Sequence, residues 1–357
     1  MTSFGGLSLI GYTIGLGAIL LASSLIHSRK TSKSSEQRKT REPYGDYLRS
    51  LNETANIDKA ETEWLNMGYW KNTTVFPEAC EALALKLVRA SRCIAGGCVL
   101  DVGHATGESL ILHLTHPEVP RPSNLFGITS LKSQHDRAAA RVLRASYPEE
   151  IKVQLYLGDA VYHSATDTPI SAQSSIQTVR HPLEQVTNDS MPIRPSYTSI
   201  IALDCAYHFR TREQFLAQSA QSLAPGGSIA LADMCVTASA SGLAIRALRR
   251  LFCIIFSIHP ANMITMQEYA ETMEQLGYQN VTIEDISSSV FPGFIAFLQK
   301  RGVGWRIFTW MIMAWWQTCG ARFIVASGKC SSHTSSSSTK PCMSPKDSVD
   351  DVMSPTF

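Results

Sequence analysis

The segment Val99-Leu100-Asp101-Val102-Gly103-His104-Ala105-Thr106-Gly107 is the one most able to do chemistry. An apolar run that ends in an acid and enters a glycine turn suits a nucleotide-like cofactor. Glycine lets the backbone approach a ligand closely and turn tightly into a helix. The spacing here is Gly-x-x-x-Gly, not the Gly-x-Gly-x-x-Gly of dinucleotide sites, and no acid ends the next apolar run. Both points disfavour a nicotinamide oxidoreductase. The nine cysteines are odd in number, scattered and without a Cys-x-x-Cys pair, so neither a disulfide framework nor a metal site is expected.

The elements that would hold this turn alternate along the chain. Strand-like runs at 98–102, 125–128, 152–157, 199–203 and 228–232 are separated by helical patterns at 107–114, 134–146 and 212–223. Residues 44–90 read as helical, broken by the aromatic turn Asn66-Met67-Gly68-Tyr69-Trp70. Residues 322–327 read as a closing strand. Alternation of this kind predicts an α/β fold, a Rossmann-like doubly wound sheet with helices on both faces. Two stretches rich in Ser, Thr and Pro, an insertion at 162–196 and a tail at 331–357, read as disordered.

Residues 44–330 resemble the class I S-adenosylmethionine-dependent methyltransferases, most closely the branch that includes sterol, tocopherol, coclaurine and cyclopropane-fatty-acid enzymes. The resemblance rests on Asn66-x-Gly68-Tyr69-Trp70, on Leu100-Asp101-Val102-Gly103-x-x-x-Gly107, on Gly127-Ile128-Thr129 followed by Gln134, and on Gly158-Asp159-Ala160. Leu223-Ala224-Pro225-Gly226-Gly227 supports it. It implies S-adenosylmethionine as cofactor, with Trp70 beside it. Gly103 and Gly107 would line its methionine end, with Asp101 fixing the loop. Thr129 and Gln134 would stand in for the usual ribose-binding acid, and Asp159 and Ala160 would meet the adenine. The family loop carries a small residue and a glycine where this chain has His104 and Ala105. His104 is therefore read as an exposed loop side chain, and Ala105 as an added methyl that the loop accommodates.

Methyl transfer is an in-line displacement, so the protein mainly aligns the reactants. A base is needed when the acceptor is a hydroxyl or a protonated amine. Related natural-product O-methyltransferases carry a histidine in a segment like Asp204-Cys205-Ala206-Tyr207-His208-Phe209, which makes His208 the catalytic candidate. Asp204 and Tyr207 are weaker candidates for shaping the site. The apolar runs 251–256, 290–297 and 305–316 would cover the acceptor in this architecture, suiting a sterol, prenyl or acyl molecule. The last of them holds four tryptophans, and its part 307–316, too short to span a bilayer and flanked by Arg301 and Arg306, fits an interfacial segment as well as buried core.

Residues 4–26 carry no charge, and as a helix would reach ~34 Å, enough for a hydrocarbon core of ~30 Å. Arg29, Lys30, Lys33, Arg38, Lys39 and Arg41 follow within the linker 29–43. This predicts an N-terminal transmembrane anchor over 1–28, rather than a cleaved signal peptide, and a catalytic domain on the cytosolic side of a membrane such as the endoplasmic reticulum. The sequons at Asn52, Asn72, Asn188 and Asn280 would then stay unmodified. A net charge of +2 and the lack of a basic aromatic stripe give no pull toward nucleic acid. The expected activity is methylation of a small lipophilic acceptor at a membrane. The alternative is a non-catalytic membrane-anchored scaffold retaining this fold, supported only by the altered His104-Ala105 turn.

Overall fold

Strand β1 (Cys98–Val102) shows why this sequence makes a sheet covered on both sides. Val99 packs into the core on one face and Leu100 into the core on the other, each no more than 1% exposed. The computed structural model describes residues 62–163, 180–184, 196–238, 242–301 and 303–331. Its sheet has seven strands, adding β2 (Asn124–Thr129), β3 (Lys152–Leu157), β4 (Tyr197–Leu203), β5 (Leu223–Val236), β6 (Tyr278–Asp285) and β7 (Ala321–Cys330). They run in the order β3-β2-β1-β4-β5-β7-β6. The first five are parallel, and β7 lies antiparallel to β5 and β6. A run such as Ile200, Ile201 and Ala202 is continuously apolar because both faces are buried.

The order reverses between β1 and β4, where open α/β sheets form a crevice at the strands' carboxyl ends. Register brings the ends together there: Val102 pairs with Ile128 of β2 and with Ala202 of β4. Helices α1 (Phe76–Ala90), α2 (Glu108–Thr115), α3 (Lys132–Arg144) and α4 (Arg212–Ser222) flank the parallel half. Beyond β5 come α5 (Leu243–Ile255), α6 (Met266–Gln275), α7 (Ser287–Gln299) and α8 (Val303–Met313), the last continuing into a π-turn, Ala314–Thr318.

Several expectations are corrected. Residues 62–75 are not helical. Asn66 and Gly68, the latter at φ 76°, turn the chain over the strand ends before α1 begins beside Pro77. The fifth strand continues to Val236 because β7 pairs with it from Ser228 to Val236. Strand β6 and helix α6 had no counterpart in the expected elements. Within the supposed insertion, Leu183 is fully buried and Pro182 accepts a hydrogen bond from the Tyr197 hydroxyl, so that stretch is packed. The anchor, the basic linker, residues 332–357 of the tail, Asn52, Asn188 and residues 164–179 and 185–195 of the insertion lie outside the described residues. Among the described residues no helix is long and apolar enough to cross a membrane.

Candidate active site

The carboxyl ends of β1, β2 and β4 floor a cavity of about 690 Å³. Gly103, at φ 74°, turns the chain out of β1, and its amide donates to the Ile128 carbonyl at 2.8 Å. A Cβ at Gly103 would sit 2.6 Å from Cys205 Sγ, so only glycine leaves the loop its course. Beneath the loop, Asp101 is fully buried, and neither carboxylate oxygen meets a hydrogen-bond partner. Burial pushes its carboxyl up to about 7, with the nearby Ser109 hydroxyl pulling the other way. A carboxylate left unsatisfied in a core costs free energy unless a ligand or polarised group meets it.

Of the residues singled out from the sequence, Gly103, Thr129, Gln134, Asp159, Ala160 and His208 line this cavity. Thr129 Oγ1 donates to Gln134 Oε1 at 3.2 Å, joining the end of β2 to the first turn of α3. The Asp159 carboxylate closes a turn by accepting from the Val161 amide at 2.9 Å. Three candidates are not in the wall: Asp101, beneath the loop, and Gly107 and Trp70. Gly107, at φ 93°, starts α2 and lets it pass Ala138 of α3, where a Cβ would come within 3.0 Å. Trp70 is buried behind the cavity, 5.4 Å from the Phe297 ring, with Nε1 donating to the Met67 carbonyl. It fits there because Gly293 has no side chain, since a Cβ would lie 2.2 Å from the indole.

His104 is also corrected: it is buried, not exposed. Its ring lies over Gly127, where a Cβ would come 2.8 Å from Cδ2, and burial lowers its pKa to about 4. The neighbouring Ala105 holds φ 49°, keeping the loop's glycine-like course without glycine.

Over the cavity lies the irregular segment from Glu63 to Met67, pinned by contacts the sequence reading missed. The Thr106 hydroxyl donates to the Glu63 carbonyl at 2.9 Å, and the Glu63 amide to Glu108 Oε1 at 2.5 Å. Arg137 binds the Glu63 carboxylate, and Arg141 binds both Glu108 and the Thr106 carbonyl. Both arginines project from one face of α3 at i and i+4, a spacing visible in the sequence. At the other end, Asp204 Oδ2 accepts from the Met67 amide at 2.7 Å and Oδ1 from the Tyr207 hydroxyl at 2.8 Å. Burial raises the Asp204 carboxyl to about 7. Asp204 itself sits at φ 56°.

The short turn after β4 presents His208. Its Nδ1 lies 3.0 Å from the Ser257 carbonyl, which accepts only, so Nδ1 carries the proton and Nε2 keeps its lone pair. The cavity wall desolvates the ring and lowers its pKa, so the neutral form is favoured. Asn262 Nδ2 holds the same turn through the Tyr207 and Phe209 carbonyls, and Arg212 holds Asn262 while pairing with the buried Asp233 at 2.9 Å. Beyond His208 the cavity becomes apolar, walled by Met234, Phe256, Phe294, Phe308 and Trp315. Trp315 is 1% exposed, so this part of the last aromatic run is core.

A family described as a methyltransferase domain matches residues 69–283, more than half of the chain. The chain belongs to that methyltransferase family. With that, the S-adenosylmethionine-dependent methyl transfer inferred from its motifs stands. This methyltransferase is similar to the erythromycin 3''-O-methyltransferase of Saccharopolyspora erythraea, 24% identical over 254 residues, which cover 69% of this chain and 72% of the relative. It is similar to the O-methyltransferase resE of Aspergillus sclerotiorum, 25% identical over 248 residues, covering 67% and 77%. Among solved structures, the cyclopropane synthase MmaA2 from Mycobacterium tuberculosis has the same fold, with a TM-score of 0.57 at 13% identity over 80% of this chain and 94% of that one. A geranyl diphosphate C-methyltransferase from Streptomyces coelicolor gives 0.54 at 13% identity over 81% and 98%.

Proposed function

We propose that this methyltransferase methylates a hydroxyl of a small lipophilic acceptor, with His208 as the general base, at a membrane that residues 4–26 anchor. The carrying observation is His208. Its Nδ1–H is committed to the Ser257 carbonyl, and the ring stands between the polar and the apolar ends of one cavity.

The polar end fits S-adenosylmethionine on three counts. Asp101 is an orphaned buried acid, Gly103 is a turn that any Cβ would block, and the Thr129–Gln134 pair and Asp159 supply polar groups along one wall. Asp101 and Gly103 would hold the methionine end, Thr129 and Gln134 the ribose, and Asp159 with Ala160 the adenine. When bound, the cofactor supplies a methyl on a sulfonium, which leaves as a neutral thioether after displacement. Nε2 of His208 takes the hydroxyl proton as the oxygen forms its bond to the methyl, so no free alkoxide is needed. Asp204 draws the Met67 segment down and the aromatic wall closes the other side, keeping water from the reacting atoms.

The apolar wall supports this acceptor class, as do relatives that are O-methyltransferases. The test is incubation of membranes bearing the full chain with methyl-labelled cofactor and a lipid extract. A labelled, base-stable ether is expected. Label found only in amines or carbon-bound methyl groups would overturn the hydroxyl assignment. Topology is read separately by deglycosylation and alkaline carbonate extraction, where a gel shift or release would remove the anchored cytosolic arrangement.

A further inference from the structure

Helices α5 and α8 bury one face each and turn an apolar stripe outward. On α5 the outward positions are Leu243, Ala247, Arg250 and Ile254, spaced four, three and four apart, which places them on one side of a helix. On α8 they are Val303, Ile307 and Trp310 at the same spacing. Leu243, Ile254, Val303 and Trp310 are 79%, 76%, 74% and 72% exposed. A helix face turned to water is ordinarily polar. The two helices belong to one cap: Phe256, just past α5, packs edge-on against Phe308 of α8 at 5.9 Å, and Phe252 against Trp315 at 5.7 Å.

Charge narrows the choice of what covers these stripes. No acid occurs between Asp233 and Glu268, or between Asp285 and Asp347. The charged residues of the cap are therefore basic only. Arg250 lies within the α5 stripe, Arg246 of α5 and Arg306 of α8 are exposed beside the stripes, and none of the three forms an ion pair with a described residue. A water-soluble partner would ordinarily meet a mixed rim of both signs. An apolar stripe with arginine flanks and an exposed tryptophan instead matches the boundary between acyl chains and anionic headgroups.

We propose that the outward faces of α5 and α8 seat the cap on a bilayer surface rich in anionic lipid, as a contact separate from residues 4–26. Trp310 and the apolar stripes enter the headgroup boundary, and Arg246, Arg250 and Arg306 meet lipid phosphates. The inward side of the same cap lines the apolar end of the cavity, through Ile255, Phe308 and Ile312. An acceptor dissolved in the bilayer then passes between the two helices into the cavity without crossing bulk water.

The test uses the full chain reconstituted in vesicles whose acyl chains carry bromine, a contact quencher of tryptophan. All six tryptophans (Trp64, Trp70, Trp305, Trp310, Trp315 and Trp316) lie beyond the N-terminal segment, so the signal reports the domain and not the anchor. Strong quenching is expected with phosphatidylglycerol present and weak quenching in phosphatidylcholine alone, with high salt removing the difference. Trp310→Phe should remove most of the quenching. In Arg246→Gln, Arg250→Gln and Arg306→Gln, docking should weaken about fivefold for each arginine changed. Cofactor affinity measured by calorimetry confirms that these variants fold. Equal quenching in the two lipids, or quenching unaltered by both sets of variants, would overturn the proposal. So would a concentration-dependent dimer broken by Trp310→Gln in place of lipid quenching, since the face would then bind a second copy of the chain. No step requires turnover, so a negative result here leaves the methyl-transfer reading standing, and the reverse.

Discussion

The two ends of the cavity are built by different means. At the polar end, geometry comes from the backbone: two glycines at positive φ, a loop at the end of β1, and arginines that tie an overlying segment to α2. At the apolar end it comes from side-chain packing among aromatic residues of α5, α7 and α8, where Phe291 stacks on Trp316 at 5.4 Å and Phe252 on Phe256 at 5.6 Å. Backbone geometry tolerates little change, because a single Cβ collides with a neighbour. Packed side chains can exchange shapes while total volume is kept. A constant methyl donor at one end and an acceptor that differs among relatives at the other is the division of labour this construction suits. His208 stands at the join, held by the Ser257 carbonyl from the cap side and by the β4 turn from the sheet side.

The sharpest way to separate the ends is His208→Ala. Turnover should fall about a hundredfold to ten-thousandfold, as for loss of a general base, while cofactor affinity stays unchanged. The wild-type rate should also carry a pH signature. Desolvation at the cavity wall lowers the His208 pKa, so kcat/KM should rise with pH to a midpoint below the ordinary histidine value of ~6.5 and stay flat above it. That limb should vanish in the variant. An equal loss of cofactor affinity and rate would place His208 in the polar end instead.

The converse experiment is Gly103→Ala. The new Cβ meets Cys205 Sγ, and alanine must hold φ 74°. Strain of this sort is worth about 1–3 kcal/mol, so cofactor affinity should drop roughly five- to a hundredfold by calorimetry. Adding Cys205→Ala relieves the collision but not the dihedral, and should restore part of the loss. Full affinity in Gly103→Ala would mean that the loop does not cradle the cofactor.

The polar end was the more legible of the two in the sequence. A strand, an acid and glycines at fixed spacing leave a local signature, and β1 to β4 and their helices follow from apolar runs of the right length. What escaped has identifiable causes. Strand β6 lies at the sheet edge and buries only Tyr278 fully, so its polar sequence carried no strand signal. Helix α6 did announce itself, since Thr265 and Glu268 form a capping box whose Thr-x-x-Glu spacing was overlooked. The pairing of Arg212 with Asp233 joins residues far apart in sequence and has no local pattern. Trp70 packs into the core beside Phe297, a direction that membership of the aromatic turn does not specify. The buried position of His104 depends on Gly127, two strands' ends meeting at one point, which no linear spacing displays.

The smallest expected effect tests how strictly the polar end depends on backbone geometry. Ala105 holds φ 49°, a left-handed conformation that disfavours an L-residue by about 1–2 kcal/mol. Glycine would remove that penalty, but it loses more conformational freedom on folding, a cost of about 0.5–1 kcal/mol. The two terms leave Ala105→Gly more stable by about 0–1.5 kcal/mol, with the thermal midpoint raised by at most a few degrees in a domain of this size. Cofactor affinity should stay level or improve slightly, because the turn already follows the glycine course and Gly103 keeps its cradle. A lower midpoint would show that the alanine methyl makes packing contacts worth more than the strain. The donor end would then rest on side-chain packing as well, and its contrast with the aromatic cap would be one of degree.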